Sequence, residues 1–99
     1  MNTMTIVHQK DIYKCAVEHG WWEKLREVPE LLCLVHSEVS EALEAHRQGR
    51  NVKLWEELAD VVIRIFDMTE HFNVDIAKVV EEKHKINLLR PHRHGGKKC

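Results

Sequence analysis

Apolar positions recur at helical spacing over most of the chain and nowhere alternate in the two-residue manner of a half-buried strand. Counted at about 100° per residue, Leu31, Leu34, Val35, Val39, Ala42, Leu43 and Ala45 fill one broad arc. A second arc holds Leu54, Trp55, Leu58, Val61, Val62, Ile65, Phe66, Met68 and Phe72. Shorter patterns flank these two, through Ile6, Gln9, Ile12, Tyr13, Ala16 and Val17 on one side and through Ile76, Val79, Val80 and Ile86 on the other.

These patterns predict four helices. The first starts near Thr5, capped by Thr3 or Thr5, and ends at Gly20, after which Trp21 and Trp22 lead into a polar segment running to Pro29. The second spans about Glu30 to Gln48, with Pro29 in its first turn and Gly49 as its stop. After the short break at Arg50 and Asn51, the third spans about Val52 to Phe72. Asp75 caps a shorter fourth helix reaching about Leu88, and Pro91 marks its end. The fold class is all-α, a bundle of about four helices in one domain over residues 1–99, with a basic tail over residues 89–99. A chain of 99 residues buries only a modest fraction of its surface, and the second arc is wide enough to meet more than one neighbour, so homo-oligomerisation is expected to complete the core.

The two long helices each carry an acid-x-x-acid pair, Glu38 with Glu41 and Glu57 with Asp60. A spacing of three puts both carboxylates on one side of a helix, one turn apart, where like charges repel. Glu38 falls near the middle of its apolar arc and Glu41 at the edge, while Glu57, Asp60, Arg64 and Asp67 form a polar stripe along the border of the second arc. Acids turned toward a core need a proton or a cation. Oxygen-only ligands converging from two helices suit Mg²⁺ or Mn²⁺ rather than zinc. Against this stands the plain alternative that such pairs are solvated, as exposed acids usually are.

Charge is unevenly spread. Residues 1–82 carry 9 basic and 16 acidic side chains, a net of −7, whereas residues 83–99 carry 6 basic side chains and no acidic one. An acidic body with a basic tail disfavours a general nucleic-acid binder and suits a metal site that meets a polyanion. Cys15, Cys33 and Cys99 are odd in number, far apart and free of C-x-x-C spacing, which suggests reduced thiols and a cytoplasmic setting rather than a disulfide framework. Neither a signal-peptide pattern nor an apolar run of spanning length is present, so no membrane partner is expected. His8, His19, His46, His71 and His92 are expected at the surface. With no P-loop and no G-x-G-x-x-G, phosphate chemistry would have to be metal-mediated.

Beyond the four acids, several segments in one order resemble the MazG-like, all-α nucleoside triphosphate pyrophosphohydrolases. They are Gly20-Trp21-Trp22, His36-Ser37-Glu38-Val39-Ser40-Glu41-Ala42, Glu56-Glu57-Leu58-Ala59-Asp60-Val61-Val62-Ile63-Arg64, and Glu82-Lys83-His84-Lys85-Ile86-Asn87, the last followed by Arg90-Pro91 and His94-Gly95-Gly96-Lys97. The resemblance implies Mg²⁺-dependent hydrolysis of a nucleoside or deoxynucleoside triphosphate between its α and β phosphates, in nucleotide-pool house-cleaning. It further implies that Glu38, Glu41, Glu57 and Asp60 hold the metal, with Glu38 or Glu41 also activating water. Lys83 and Asn87 would contact phosphate, sugar or water; Arg90, His94 and Lys97 would neutralise the polyphosphate; Trp21 or Trp22 would stack on or wall in the base. At Ser37 a frequent form of the pattern has another glutamate, which bears on the number of metal ions and the identity of the base.

Three alternatives remain open at the level of sequence. A phosphoribosyl-ATP pyrophosphohydrolase would use the same chemistry. A non-catalytic helical protein would bind a metal or nucleotide without cleaving it. Glu81-x-x-His84 matches the spacing used in helical di-iron bundles, although it occurs once and the acid pairs lack matching histidines.

Overall fold

The computed structural model describes residues 8–91. Four helices account for most of them: α1 (Gln9–Glu18), α2 (Val28–Arg47), α3 (Asn51–His71) and α4 (Ile76–Leu88), with one 3-10 turn at Trp21–Glu23 and no strand among the described residues. The described residues therefore form an all-α assembly of four helices.

Helix ends follow local chemistry. At the end of α2, Gly49 adopts φ +71°, and the N–H groups of Gly49 and Arg50 bond back to the carbonyls of His46 and Ala45 at 3.0 and 2.9 Å. The end of α3 repeats this arrangement with an asparagine: Asn73 sits at φ 60°, and Asn73 and Val74 bond back to Glu70 and Thr69 at 3.0 and 2.8 Å. Both are left-handed caps that satisfy carbonyls the helix itself leaves unpaired. Asp75 caps α4, its carboxylate accepting from the Lys78 N–H at 3.3 Å.

The predicted start of the first helix shifts. α1 begins at Gln9 with an extended His8 before it, and the Asp11 carboxylate accepts from the His8 N–H at 3.3 Å, closing the first turn there. Thr3 and Thr5 lie outside the described residues.

The core lies chiefly between α2 and α3, with α1 laid along α3. Glu41 of α2 faces Glu57 of α3 while Glu38 faces Arg64, so the two long helices run antiparallel across the short Gln48–Arg50 turn. Only Leu31, Ala42 and Ala45 are buried apolar residues among those described. The small side chains of Ala42 and Ala45 on α2 let the helices approach closely. Other positions of the predicted arcs are exposed, among them Val39, Leu43, Trp55, Val62 and Phe72, as is Val17 of α1. α4 packs lightly, and its start is pinned by Gln9, whose amide donates to the Val74 carbonyl at 2.6 Å and accepts from the Ile76 N–H at 3.3 Å. No helix among the described residues is long and apolar enough to cross a membrane.

Candidate metal centre and adjoining cavity

The antiparallel register of α2 and α3 brings carboxylates from both helices together. One oxygen each of Glu38, Glu41 and Glu57 lies within 4.8 Å of the others. Glu57 is the most buried of the three, its side chain only 4% exposed, with Glu38 next at 13%. The wheel put Glu57 at the border of an apolar arc; the small alanines of α2 draw that border into the interface.

Two cations hold these acids. Lys53 Nζ lies 2.9 Å from Glu57 Oε1, one turn back along α3. The Arg64 guanidinium meets Glu38 Oε1 through Nε and Nη2, both at 3.2 Å. The Lys53 hydrogen bond holds the Glu57 carboxyl below the ordinary glutamate range. Burial pushes Glu38 upward, a tendency the Arg64 hydrogen bond and charge oppose and the charge of Asp60 reinforces. Neighbouring carboxylates are thus driven in opposite directions, one suited to hold charge and the other to take a proton.

Asp60 stands apart from this cluster. It is exposed, and it joins Glu38 in lining a cavity of about 490 Å³ between α1, the 3-10 turn, α2 and α3. Ile12, Ala16, Ile63 and Trp21 give the cavity its apolar walls, while Arg64 and Asp67 continue the polar stripe of α3 into it.

The adjacent tryptophans part company, as neighbouring residues of a tight turn must. Trp21 faces the cavity with the Arg26 guanidinium 3.5 Å from its ring centre and that of Arg64 at 5.4 Å. Its indole nitrogen is buried and has no hydrogen-bond partner among the described residues. Trp22 turns toward α3, donates to Asp67 Oδ1 at 2.9 Å and stacks on His71 at 3.7 Å between ring centres, 6° from parallel. His71 is accordingly half-buried rather than on the surface, with Tyr13 Oη 3.0 Å from its Nδ1. Shape and aromatic stacking override the polarity that pointed it outward.

No protein-family model, curated protein or solved structure matches the chain.

Of the remaining residues singled out in the sequence, Lys83 and Asn87 line a separate depression on α4 with Val79, Val80 and His84. Arg90 is exposed beyond the end of α4, and His94 and Lys97 lie outside the described residues. Lys53, Arg64, Asp67 and His71 are the contributors to which the sequence reading gives no role in the site. For Arg64 and Asp67 a signal existed, since they share the polar stripe with Glu57 and Asp60 at helical spacing. Nothing in the chain marks the pairing of Trp22 with His71, which depends on how the 3-10 turn meets α3.

The donor set is oxygen-only, drawn from two rigid helices, and already needs two side-chain cations to balance it. That combination fits a hard divalent ion such as Mg²⁺ or Mn²⁺ better than zinc.

Proposed function

We propose that this chain is a MazG-like nucleoside triphosphate pyrophosphohydrolase. The observation that carries the proposal is the junction of three clustered carboxylates with a tryptophan-walled cavity through a shared residue, Glu38. One end of such a site suits a polyphosphate with its cation, and the other suits a flat heterocycle. The order of segments resembling the family adds to this.

Glu38, Glu41 and Glu57 would hold Mg²⁺ or Mn²⁺, with Asp60 on the cavity side of Glu38 as the fourth acid. Bound there, the ion would offset charge on the polyphosphate, polarise a phosphoryl oxygen and make water more acidic. Glu38 or Glu41 takes the proton as the water oxygen bonds to phosphorus, and cleavage of the α–β bridging bond gives nucleoside monophosphate and pyrophosphate. Arg64, a planar guanidinium at the cavity wall, supplies a cation for phosphoryl oxygens. Trp21 walls in the base. Lys83, Asn87, Arg90, His94 and Lys97 enter through the resemblance alone.

Homo-oligomerisation is part of the same proposal, because Trp55, Val52, Leu88 and Leu89 are more than three-fifths exposed. The test of function is turnover of nucleoside and deoxynucleoside triphosphates with Mg²⁺, scored for pyrophosphate against phosphate. Pyrophosphate release lost in both Glu41→Gln and Asp60→Asn supports the proposal; no turnover of any substrate by a protein that binds the metal contradicts it.

A further inference from the structure

The cavity has two unlike ends along α3. Asp60 lies at one end with Glu38, and Asp67 lies seven residues further on, about 10.5 Å of helical rise away. A nucleotide whose phosphates sit by the clustered carboxylates must extend its sugar and base along α3, past Trp21, toward Asp67.

Asp67 is not a loose surface acid. Its Oδ1 accepts from the Trp22 indole at 2.9 Å, Trp22 is fixed by its stack on His71, and His71 is fixed by Tyr13. Residues from α1, the 3-10 turn and α3 therefore orient one carboxylate on the polar stripe of a cavity whose other walls are apolar. Its Oδ2 takes no hydrogen bond from another described residue. Burial pushes the Asp67 pKa up, while the Trp22 hydrogen bond and the charges of His71, Arg64 and Arg26 oppose the shift.

We infer that Asp67 reads the base, and that the site prefers nucleoside triphosphates whose base carries an exocyclic amino group over those of uracil or thymine. The inference rests on the pyrophosphohydrolase reading above. When ionised, the carboxylate only accepts hydrogen bonds, so toward a base lying between the apolar walls it selects a partner that donates. Cytosine, adenine and guanine each offer an amino group, and aspartate accepting from cytosine N4 is an established pairing. Uracil and thymine hold their ring N–H between two carbonyl oxygens, whose lone pairs would face the carboxylate.

Cytosine and uracil nucleotides differ in the donor and acceptor pattern of that edge alone, so they make the matched pair. The experiment measures kcat/KM for dCTP and dUTP with Mg²⁺, together with calorimetric binding of their α,β-methylene analogues, for the native chain, Asp67→Asn and Trp22→Phe. The native chain should favour the cytosine member by roughly ten- to a hundredfold, the worth of a hydrogen bond to an ionised group. Asp67→Asn, whose amide both donates and accepts, should bring the ratio to within about threefold, an allowance for neutral hydrogen bonds. Trp22→Phe keeps an aromatic ring but removes the N–H that fixes Asp67, and should lower the ratio part of the way.

Equal treatment of the pair by the native chain, or a ratio unchanged in both variants, would overturn the inference. Pyrophosphate release with an unchanged ratio leaves the enzymatic proposal standing and removes the role of Asp67. Asp67-dependent binding of the cytosine analogue without pyrophosphate release does the reverse. Absence of both binding and turnover overturns the two together.

Discussion

Glu57 and Lys53 show how one residue sets what its neighbours can do. A carboxylate only 4% exposed keeps its charge because an ammonium lies 2.9 Å away, and a metal ion entering the cluster must compete with that ammonium. Opposite effects are therefore expected from the two partners. Glu57→Gln should weaken Mg²⁺ binding by more than the roughly 10–100-fold that losing a ligand's supporting contact costs. Lys53→Met should tighten it severalfold. Titration calorimetry with Mg²⁺ reads both, and a loss of affinity in Lys53→Met would place the lysine among groups that assist the site. Asp67 gives a pH-dependent expectation. Burial raises its folded pKa above the ordinary 3.8, so the folded state holds the proton more tightly than the unfolded chain. Stability from this group is complete below the ordinary value and is lost as pH rises through the folded one. Asp67→Asn keeps an oxygen for Trp22 and cannot ionise. Its melting temperature should match that of the native chain near pH 4 and exceed it at pH 8; an equal or lower value at pH 8 would mean that the charge is well compensated.

At the scale of elements, the chain announces its helices through punctuation. Gly49 occupies the left-handed region with open space around its α-carbon, so Gly49→Ala would meet backbone strain and no clash. The expected loss is about 1 kcal/mol, similar to that for removing the Asp75 cap in Asp75→Ala, both read from denaturant midpoints. Losses near zero would show that the turns are held by packing instead. The same punctuation made α2, α3 and α4 legible to within two residues, since Pro29, Gly49, Asp75 and Pro91 act through local sterics and hydrogen bonding. The start of α1 is less legible because the carboxylate that closes its first turn, Asp11, lies inside the helix rather than at its cap position. Helical spacing places Glu38 inward, and the antiparallel register of α2 and α3 brings it together with Glu41 and Glu57. Arg64, Lys53 and the Trp22–His71 stack were not legible as partners, because each contact depends on the choice of rotamer or on how separate elements meet.

For the whole molecule the decisive property is how little of it is buried. Leu31, Ala42 and Ala45 alone make the buried apolar core among the described residues, while large apolar side chains on α3 and α4 face outward. A second copy covering those faces would supply the missing burial. Light scattering behind size exclusion should give a mass of at least twice 11.7 kDa, with a melting temperature that rises with protein concentration. A monomer with a concentration-independent transition would contradict this. The central claim concerns which bond breaks, and ³¹P NMR of a triphosphate turned over with Mg²⁺ reads that directly. Growth of one pyrophosphate signal with an equal amount of nucleoside monophosphate is the predicted result; orthophosphate appearing with nucleoside diphosphate would contradict it.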